Sequence, residues 1–299
     1  MAEGSHLLEH VQDAYYFEVP RFLAPAREAP DFIAVVTPEQ MSGKLLIPQV
    51  FGGQLKDLRT PASGFLLTKF MVLEVVAALL VVAVFVPLAR RIASGQPVRG
   101  VLRNLFEVML LFIRDEVARP AIGKHDADRF LPLLWTTFFF VLFCNLLGML
   151  PWSGAATGAL GATGALAGIT FLSVLGAGMA KLGPVGFWKA QVPHMDLPGA
   201  LAILLIPMIF VIEVMGLFIK HTVLAVRLLA NMFAGHVVLA VIVGFIAMTA
   251  NSMVWWAVMP ASVLGATALS MLELFVAFLQ AYIFTFLTAL FIGMAVHPH

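Results

Sequence analysis

The stretch Arg227-Leu-Leu-Ala-Asn231-Met-Phe-Ala-Gly-His236 lies inside an apolar run that extends from Leu197 to Ala250. Inserting a guanidinium into hydrocarbon costs at least about 2.5–3.5 kcal/mol, and arginine cannot escape this cost by losing its proton. Such an arginine needs a partner, a water-filled cavity, or a role that uses a permanent positive charge. Near a helix end it could snorkel to the interface instead, but both flanks of Arg227 are apolar. We therefore predict that Arg227 is a functional residue of a membrane-spanning helix.

The composition around this stretch is that of a polytopic membrane protein. Of 299 residues, 61% are hydrophobic and 12% are charged, whereas soluble domains are about 45–50% apolar and about 25% charged. Apolar runs long enough to cross a bilayer recur, and helices satisfy their own backbone hydrogen bonds there. We predict an all-α fold with about five to six membrane helices. The net charge of +1 gives no indication of nucleic-acid binding, and the single Cys144 excludes an internal disulfide and a cysteine-based metal site.

The distribution of charge predicts the orientation of the chain. Residues 1–64 carry five Lys/Arg and eight Asp/Glu, whereas residues 89–129 carry eight Lys/Arg and five Asp/Glu. By the positive-inside rule the second segment is cytoplasmic, so the N-terminus lies on the opposite side and the C-terminus is cytoplasmic. The N-terminal segment lacks the pattern of a signal peptide and is too acidic for a transit peptide. These features favour the inner membrane of a bacterium.

The chain divides into a polar, non-cytoplasmic segment at 1–64, which its prolines should keep irregular, and an integral membrane domain at 65–299. Within this domain we predict a first span containing Glu74, an amphipathic helix on the cytoplasmic surface, a helical hairpin containing Asn145, and two long stretches. Their ranges are 65–88, 97–119, 130–180, 197–250 and 254–296. As one helix, the fourth would be roughly 80 Å long. It therefore either breaks into two spans or is one strongly tilted helix.

Polar residues recur at helical intervals in the two long stretches. In the first stretch, intervals of seven and four residues place four of them on roughly one face: Glu213, Lys220, Arg227 and Asn231. In the second stretch, Glu273 and Gln280 are also seven residues apart. His236 follows Arg227 by nine residues and does not share its face on an ideal helix.

Folding the two stretches as an antiparallel hairpin brings these residues into register. Arg227 and Gln280 lie equally far from the midpoint near Asn251–Met253, and His236 and Glu273 are offset from that register by only about 3 Å of helix rise. The hairpin thus has an Arg/Gln level and, roughly 10–14 Å nearer the turn, a His/Glu level.

These two levels suit the movement of protons. Imidazole and carboxyl groups can exchange protons near neutral pH, particularly when desolvated, whereas arginine supplies a fixed electrostatic barrier. Glutamine and asparagine can orient water or hold the guanidinium. The alternative is a packed polar cluster that only fixes two helices together, although a lone buried cation is a poor means of doing so.

At these residues the sequence resembles the a subunit of F-type ATP synthases. The resemblance extends from about Phe65 to the C-terminus. It rests on the Arg227–His236 stretch, on Phe278-Leu-Gln280-Ala-Tyr-Ile-Phe, and on Phe143-Cys-Asn145-Leu-Leu-Gly-Met-Leu-Pro151. Gly148 replaces an acid found in some members, and the polar N-terminal segment and the small-residue run at 153–168 are unusual.

The resemblance implies a role for each candidate residue. Arg227 would be the essential stator arginine that faces a ring of c subunits, with Gln280 beside it. His236 and Glu273 match the positions of an exchanged acid/histidine pair and, with Asn231 and Glu213, would line two aqueous half-channels. Lys220 and Asn145 are further candidates. The resemblance also implies strongly tilted C-terminal helices, and the orientation above assigns the His236/Glu273 level to the outer half-channel.

The partners implied are the c-subunit ring, b-type peripheral stalk subunits, the F1 sector through the complex, and lipid. No Walker-type phosphate loop occurs in the sequence, so nucleotide chemistry belongs to another subunit and this chain is not itself expected to be an enzyme or to need a cofactor.

Two other functions remain open from the sequence. A proton- or sodium-coupled secondary transporter should contain inverted repeats with paired broken helices, yet the Arg–Asn–His pattern occurs once. A non-transporting scaffold would leave the matched polar levels unexplained. The coupling ion of a synthase, H⁺ or Na⁺, also stays open because its binding site would lie on the partner.

Overall fold

The computed structural model describes residues 13–20, 22, 24–25, 30, 32–33, 36–58, 60–95, 100–150, 153–192 and 199–297. The chain forms two compact units, each assembled from three segments. The first unit comprises Met1–Val82, Val141–Ala159 and Leu229–Phe278, and the second comprises Ala83–Phe140, Leu160–Leu228 and Leu279–His299. Four long helices therefore contribute residues to both units.

The described part of the N-terminal segment is more ordered than its prolines indicate. Strand β1 (Tyr16–Glu18) pairs antiparallel with β2 (Lys44–Leu46), and β3 (Gln54–Leu55) pairs antiparallel with β4 (Pro61–Ser63). A short helix α1 (Pro38–Met41) precedes β2. These elements enclose a small hydrophobic cluster of buried side chains, namely Ala14, Tyr16, Ile33, Met41, Leu55, Leu58 and Leu66. The apolar residues are widely spaced along the sequence, so no local periodicity reveals the cluster.

Helix α2 (Lys69–Ala93) is the first helix long and apolar enough to cross a membrane. Its start is fixed by the N-terminal segment: the Lys69 amide donates to the Ala14 carbonyl at 2.7 Å, and the Phe70 amide donates to Asp13 Oδ1 at 3.2 Å. These bonds satisfy amides that a helix N-terminus leaves without intrahelical partners. The last turn carries Arg90 and Arg91, whose charges complement the helix dipole.

Helix α3 (Val101–Phe112) contains no buried residue and exposes Val101, Leu102, Leu105 and Val108. The helical path continues through a π-helical segment (Ile113–Ala118) into α4 (Arg119–Ile122). The predicted surface helix at 97–119 begins with Pro97–Arg99, which lie outside the described residues. Its location on the cytoplasmic face of a membrane stays a prediction.

Helices α5 (Ala127–Gly148) and α6 (Leu160–Leu182) follow, separated by a 3-10 turn (Ala156–Gly158), and α7 (Pro184–Ala190) comes after α6. On α6, buried residues recur at intervals of three and four: Thr163, Ala167, Thr170, Val174 and Ala177. This spacing defines one packed helix face, and its small side chains allow close approach of neighbouring helices.

The two long C-terminal stretches form single helices, α8 (Gly199–Met248) and α9 (Trp255–Val296). Helix α8 has 50 residues, which makes it about 75 Å long and far longer than an upright span of about 30 Å. The structure thus decides between the two possibilities in favour of one unbroken helix.

Helices α8 and α9 pack antiparallel within each unit. In the first unit, His236 meets Glu273, and a Cβ placed at Gly265 would lie 3.8 Å from Ile242 Cγ2. In the second unit, the His221 and Phe291 rings are 5.0 Å apart. Five of the described helices are long and apolar enough to cross a membrane, namely α2, α5, α6, α8 and α9. The predicted all-α polytopic fold with a C-terminal helical hairpin is confirmed.

Candidate functional site

The structure brings His236 of α8 and Glu273 of α9 together inside the first unit. His236 Nδ1 and Glu273 Oε1 are 4.0 Å apart, and the two side chains are only 15% and 7% exposed. This distance is too long for a hydrogen bond, but a shift of about 1 Å would form one. Among the described residues, His236 Nε2 and Glu273 Oε1 have no hydrogen-bond partner. A buried imidazole and carboxyl so close together can exchange a proton with each other or with an entering water.

Gly235 makes this approach possible. A Cβ atom at Gly235 would lie 2.7 Å from Glu273 Oε1 and 3.2 Å from Glu273 Cδ, closer than van der Waals contact permits. The carboxylate therefore packs directly against the backbone of α8, one residue before His236. The glycine of the sequence motif has a steric reason in this structure.

Lys69 adds a positive charge to the surroundings of His236. It occupies the first position of α2, is 4% exposed, and acts electrostatically on the His236 ring. A Cβ at Gly154 would lie 2.9 Å from Lys69 Nζ, so the ammonium also packs against the 153–155 segment. Glu74 is the inner charge of the predicted first span, whereas Lys69 was not among the residues predicted from the sequence. Its place at the start of an apolar run was the available signal.

Asn145 fastens α5 to α9 close to Glu273. Its Nδ2 donates to the Ala277 carbonyl at 3.3 Å, and its Oδ1 accepts from Thr157 Oγ1 at 2.8 Å. Asn145 and Thr157 are 0% and 1% exposed. Because Ala277 lies one helical turn after Glu273, these bonds fix the part of α9 that carries the carboxylate. No pattern in the sequence indicates a role for Thr157.

Gly148, one turn after Asn145 on α5, allows the following segment to return over the helix. A Cβ at this position would lie 2.9 Å from Ala155 Cβ and 3.0 Å from Ala155 Cα. An acidic side chain, which some members of the resembling family carry here, would not fit in this conformation. Gly148 therefore permits close contact with Ala155, which belongs to the small-residue run that follows.

Arg227 lies exposed on α8, directly after the exposed Val226 and one helical turn after the exposed Val223. Among the described residues it makes no hydrogen bond or ion pair. Gln280, on α9 of the same unit, is only 4% exposed, and its Nε2 has no hydrogen-bond partner among those residues. The guanidinium is thus a permanent charge on an apolar, uncovered helix surface, where a bilayer alone would solvate it poorly.

Three further candidate residues lie elsewhere on α8. Asn231 is half-buried, whereas Glu213 and Lys220 are exposed. In the second unit Glu213 and Lys220 line one open cavity of about 280 Å³, together with Gln191 and His297. The seven-residue spacing therefore brings a carboxylate and an ammonium to the same water-accessible space. His297, at the end of α9, was not singled out from the sequence.

Comparison with known proteins places the chain in a family. The family model described as "ATP synthase A chain" matches residues 71–293. The chain belongs to this family. It is 41% identical over 251 residues to ATP synthase subunit a of Myxococcus xanthus, covering 83% of this chain and 80% of the relative.

Other relatives carry the same name. ATP synthase subunit a of an Anaeromyxobacter species is 38% identical over 312 residues, covering 99% of this chain and 71% of the relative. That of Parvibaculum lavamentivorans is 37% identical over 230 residues, covering 77% and 83%. The matched region contains α8, nearly all of α9, and every candidate residue that was predicted from the sequence, whereas Lys69 and His297 lie outside it. The family is the proton-translocating a subunit of F-type ATP synthases, a non-catalytic membrane subunit of a multi-subunit complex.

Proposed function

We propose that this chain is the stator subunit through which protons enter and leave the rotating ring of an F-type ATP synthase. The observation that carries the proposal is Arg227, an exposed guanidinium on an apolar helix with no ionic partner among the described residues. Such a charge within a membrane needs an acidic partner, backbone carbonyls or a water-filled cavity beside it. A carboxylate on each c subunit, presented in turn as the ring rotates, satisfies that requirement.

In the proposed mechanism, protons enter from the outer side at the level of His236 and Glu273. The buried pair, with Asn231 beyond it on α8, passes a proton to a carboxylate of the ring. The neutral carboxyl group can then turn into lipid because it no longer carries a charge. Protons leave on the other side through the cavity at Glu213 and Lys220.

Arg227 separates the two pathways in this proposal. Its fixed charge repels protons and attracts the deprotonated carboxylate, so neither crosses directly between the half-channels. Gln280, buried on the neighbouring helix, orients the guanidinium or its water. A lysine cannot reproduce the planar, forked donor geometry of arginine, so Arg227→Lys should also fail to couple proton flow to rotation.

The proposal includes partners and an orientation. The exposed apolar surface of α8 around Arg227 would face the c-subunit ring, while other surfaces meet b-type stalk subunits and lipid. The N-terminal segment would lie in the periplasm and the end of α9 in the cytoplasm of a bacterium, in agreement with the charge distribution.

ATP-driven acidification of inverted membrane vesicles tests the proposal, comparing wild type with Arg227→Ala. Arg91→Ala is a matched control, because it also removes one exposed arginine but lies in the last turn of α2. We expect Arg227→Ala to abolish acidification while ATP hydrolysis persists, and Arg91→Ala to behave as wild type. Undiminished acidification in Arg227→Ala would overturn the proposal. A sodium requirement for pumping would instead assign Na⁺ as the coupling ion.

A further inference from the structure

The cavity that contains Glu213 and Lys220 opens beside the end of α9. It measures about 280 Å³ and is also lined by Gln191, Phe291, Met294 and His297. Its polar groups come from three separate parts of the second unit, and His297 is the histidine among its lining residues. The cavity is therefore large enough for several waters and carries an exchangeable imidazole at one edge.

The position of His297 is fixed by side-chain and backbone contacts. Its Nε2 lies 3.2 Å from Asp126 Oδ2, and the ring is about half exposed. Its backbone amide donates to the Gly293 carbonyl at 2.9 Å, which extends the helical path of α9 by one residue. A Cβ atom at Gly293 would overlap the Ala121 carbonyl oxygen, so the last turn of α9 packs directly on the turn that leads to Asp126. The position of the imidazole follows from this backbone contact.

Asp126, the carboxylate that His297 meets, has a second partner in Lys181. Lys181 Nζ donates to both oxygens of Asp126, at 2.9 and 3.1 Å. This hydrogen bond, followed by the charges of Lys181, His297 and His125, holds the pKa of the Asp126 carboxyl below its usual range. Asp126 is therefore an anion at neutral pH. Arg129 lines a second cavity together with Asp126 and Lys181.

We propose that His297, seated on Asp126, is a proton-exchange site between this cavity and the cytoplasmic solution. The proposal rests on the proposed function, since it needs protons to leave through the cavity. Nδ1, the ring nitrogen that does not meet Asp126, takes a proton from cavity water, and the imidazolium is held by the Asp126 carboxylate. The same nitrogen then releases that proton to solvent or buffer, which restores the neutral ring.

An imidazole is suited to this position because its charge changes between about pH 5 and 8. A lysine ammonium ordinarily releases its proton reluctantly in that range, and a carboxylate ordinarily holds one only in acid. A histidine between the cavity and solvent shortens the time that a proton waits for a free acceptor. Asp126 acts as the positioning residue.

The test measures passive proton conduction in inverted vesicles that retain the complete membrane complex after removal of F1. His297→Gln keeps an amide donor for Asp126 but cannot exchange a proton, and His297→Ala leaves space for added imidazole. Lys124→Gln is the matched control, because Lys124 is an exposed cationic residue two positions before Asp126 that neither lines the cavity nor contributes to the lowered pKa of Asp126. All variants also carry His299→Gln, because His299 is two residues away in the sequence and could substitute.

We expect both His297 variants to conduct severalfold more slowly than the control at low buffer concentration. Added imidazole should restore the rate of His297→Ala. Equal rates in variants and control would overturn the exchange site, as would a slow rate that imidazole leaves unchanged, which would indicate a structural role. If the vesicles with His297 intact fail to conduct, the proposed function itself is wrong, so the two failures are distinguishable.

Discussion

Two histidine–carboxylate pairs of the molecule differ in their surroundings. His236 and Glu273 are 15% and 7% exposed and lie 4.0 Å apart, whereas His297 and Asp126 are 56% and 22% exposed and lie 3.2 Å apart. Asp126 has a second cationic partner in Lys181. Among the described residues, Glu273 Oε1 has no hydrogen-bond partner.

The difference shows how similar residue types serve different tasks. Burying an ionised carboxylate without hydrogen bonds costs several kcal/mol or more, so the buried His236–Glu273 pair is sensitive to the position of a single proton. The His297–Asp126 pair is more exposed, so solvent screens its interaction and makes it weaker. Variants that alter the His236–Glu273 pair should therefore change proton transport strongly, whereas variants that alter the His297–Asp126 pair should change it mildly.

The largest effect is expected from Glu273→Gln. The amide preserves the size of the side chain but cannot bind and release a proton, so proton-driven ATP synthesis in vesicles should fall by about 100-fold or more. The exchanged double variant, His236→Glu with Glu273→His, should recover part of the lost rate because it keeps one acid and one imidazole at the same level. A Glu273→Gln variant with wild-type synthesis would remove the functional contrast between the two pairs.

Gly235→Ala should come next in effect. The new methyl group would collide with the Glu273 carboxylate and force it away from α8, so proton conduction should fall although helix propensity improves by up to about 1 kcal/mol. Gly216→Ala is the control, since a Cβ there meets no atom within 4 Å. Proton conduction measured in Gly235→Ala and Gly216→Ala separates the collision with Glu273 from the general effect of replacing a helical glycine. Equal conduction would mean that the close approach at Gly235 has no functional weight.

Thr157→Val tests the support of the buried pair. The substitution removes the donor to Asn145 Oδ1 and leaves a buried acceptor unpaired, which should cost about 1–3 kcal/mol. Thermal unfolding of the purified complex in detergent should occur at lower temperature, with conduction reduced less than in the Glu273 and Gly235 variants. Thr157→Ser, which keeps the hydroxyl, should stay close to wild type. An unchanged unfolding temperature for Thr157→Val would show that this bond does not support α9.

The smallest effect is expected from Lys181→Gln, which removes the ion pair between Lys181 and Asp126. The lowered pKa of Asp126 means that its ion pair with Lys181 stabilises the fold at neutral pH and ceases to do so as pH falls below the usual carboxyl value of 3.8. Lys181→Gln should therefore lower the unfolding temperature slightly at pH 7, and the difference from wild type should shrink on acidification. A difference that grew in acid would contradict the assigned sign.

The sequence predicted the elements better than it predicted the contacts between distant segments. Periodic polar residues in two apolar stretches were enough to pair His236 with Glu273, because a long antiparallel helical hairpin has only one free parameter, its register. The length of α8 was left open, since apolar composition alone does not distinguish a tilted helix from two shorter ones.

Other features depend on chain segments whose approach leaves no periodic signal. The bond from Thr157 to Asn145 requires the chain after α5 to fold back over Gly148. The position of His297 requires the last turn of α9 to pack against Ala121 in α4. The N-terminal cluster joins residues dispersed between prolines. Each is a tertiary contact between residues of unrelated local pattern, which single-sequence reasoning does not reach.

The unbroken course of α8 also has a mechanical meaning. Bending an α-helix lengthens hydrogen bonds on one side, and sharp kinks occur mainly at proline, which in α8 is Pro207, far from Arg227. Arg227 lies near the middle of the 50 residues of α8. A sideways force that a turning partner exerts on Arg227 would therefore be distributed over the helix on both sides of this residue. In the proposed function, the same helix that positions the charge would thereby also supply the rigidity against which rotation does work.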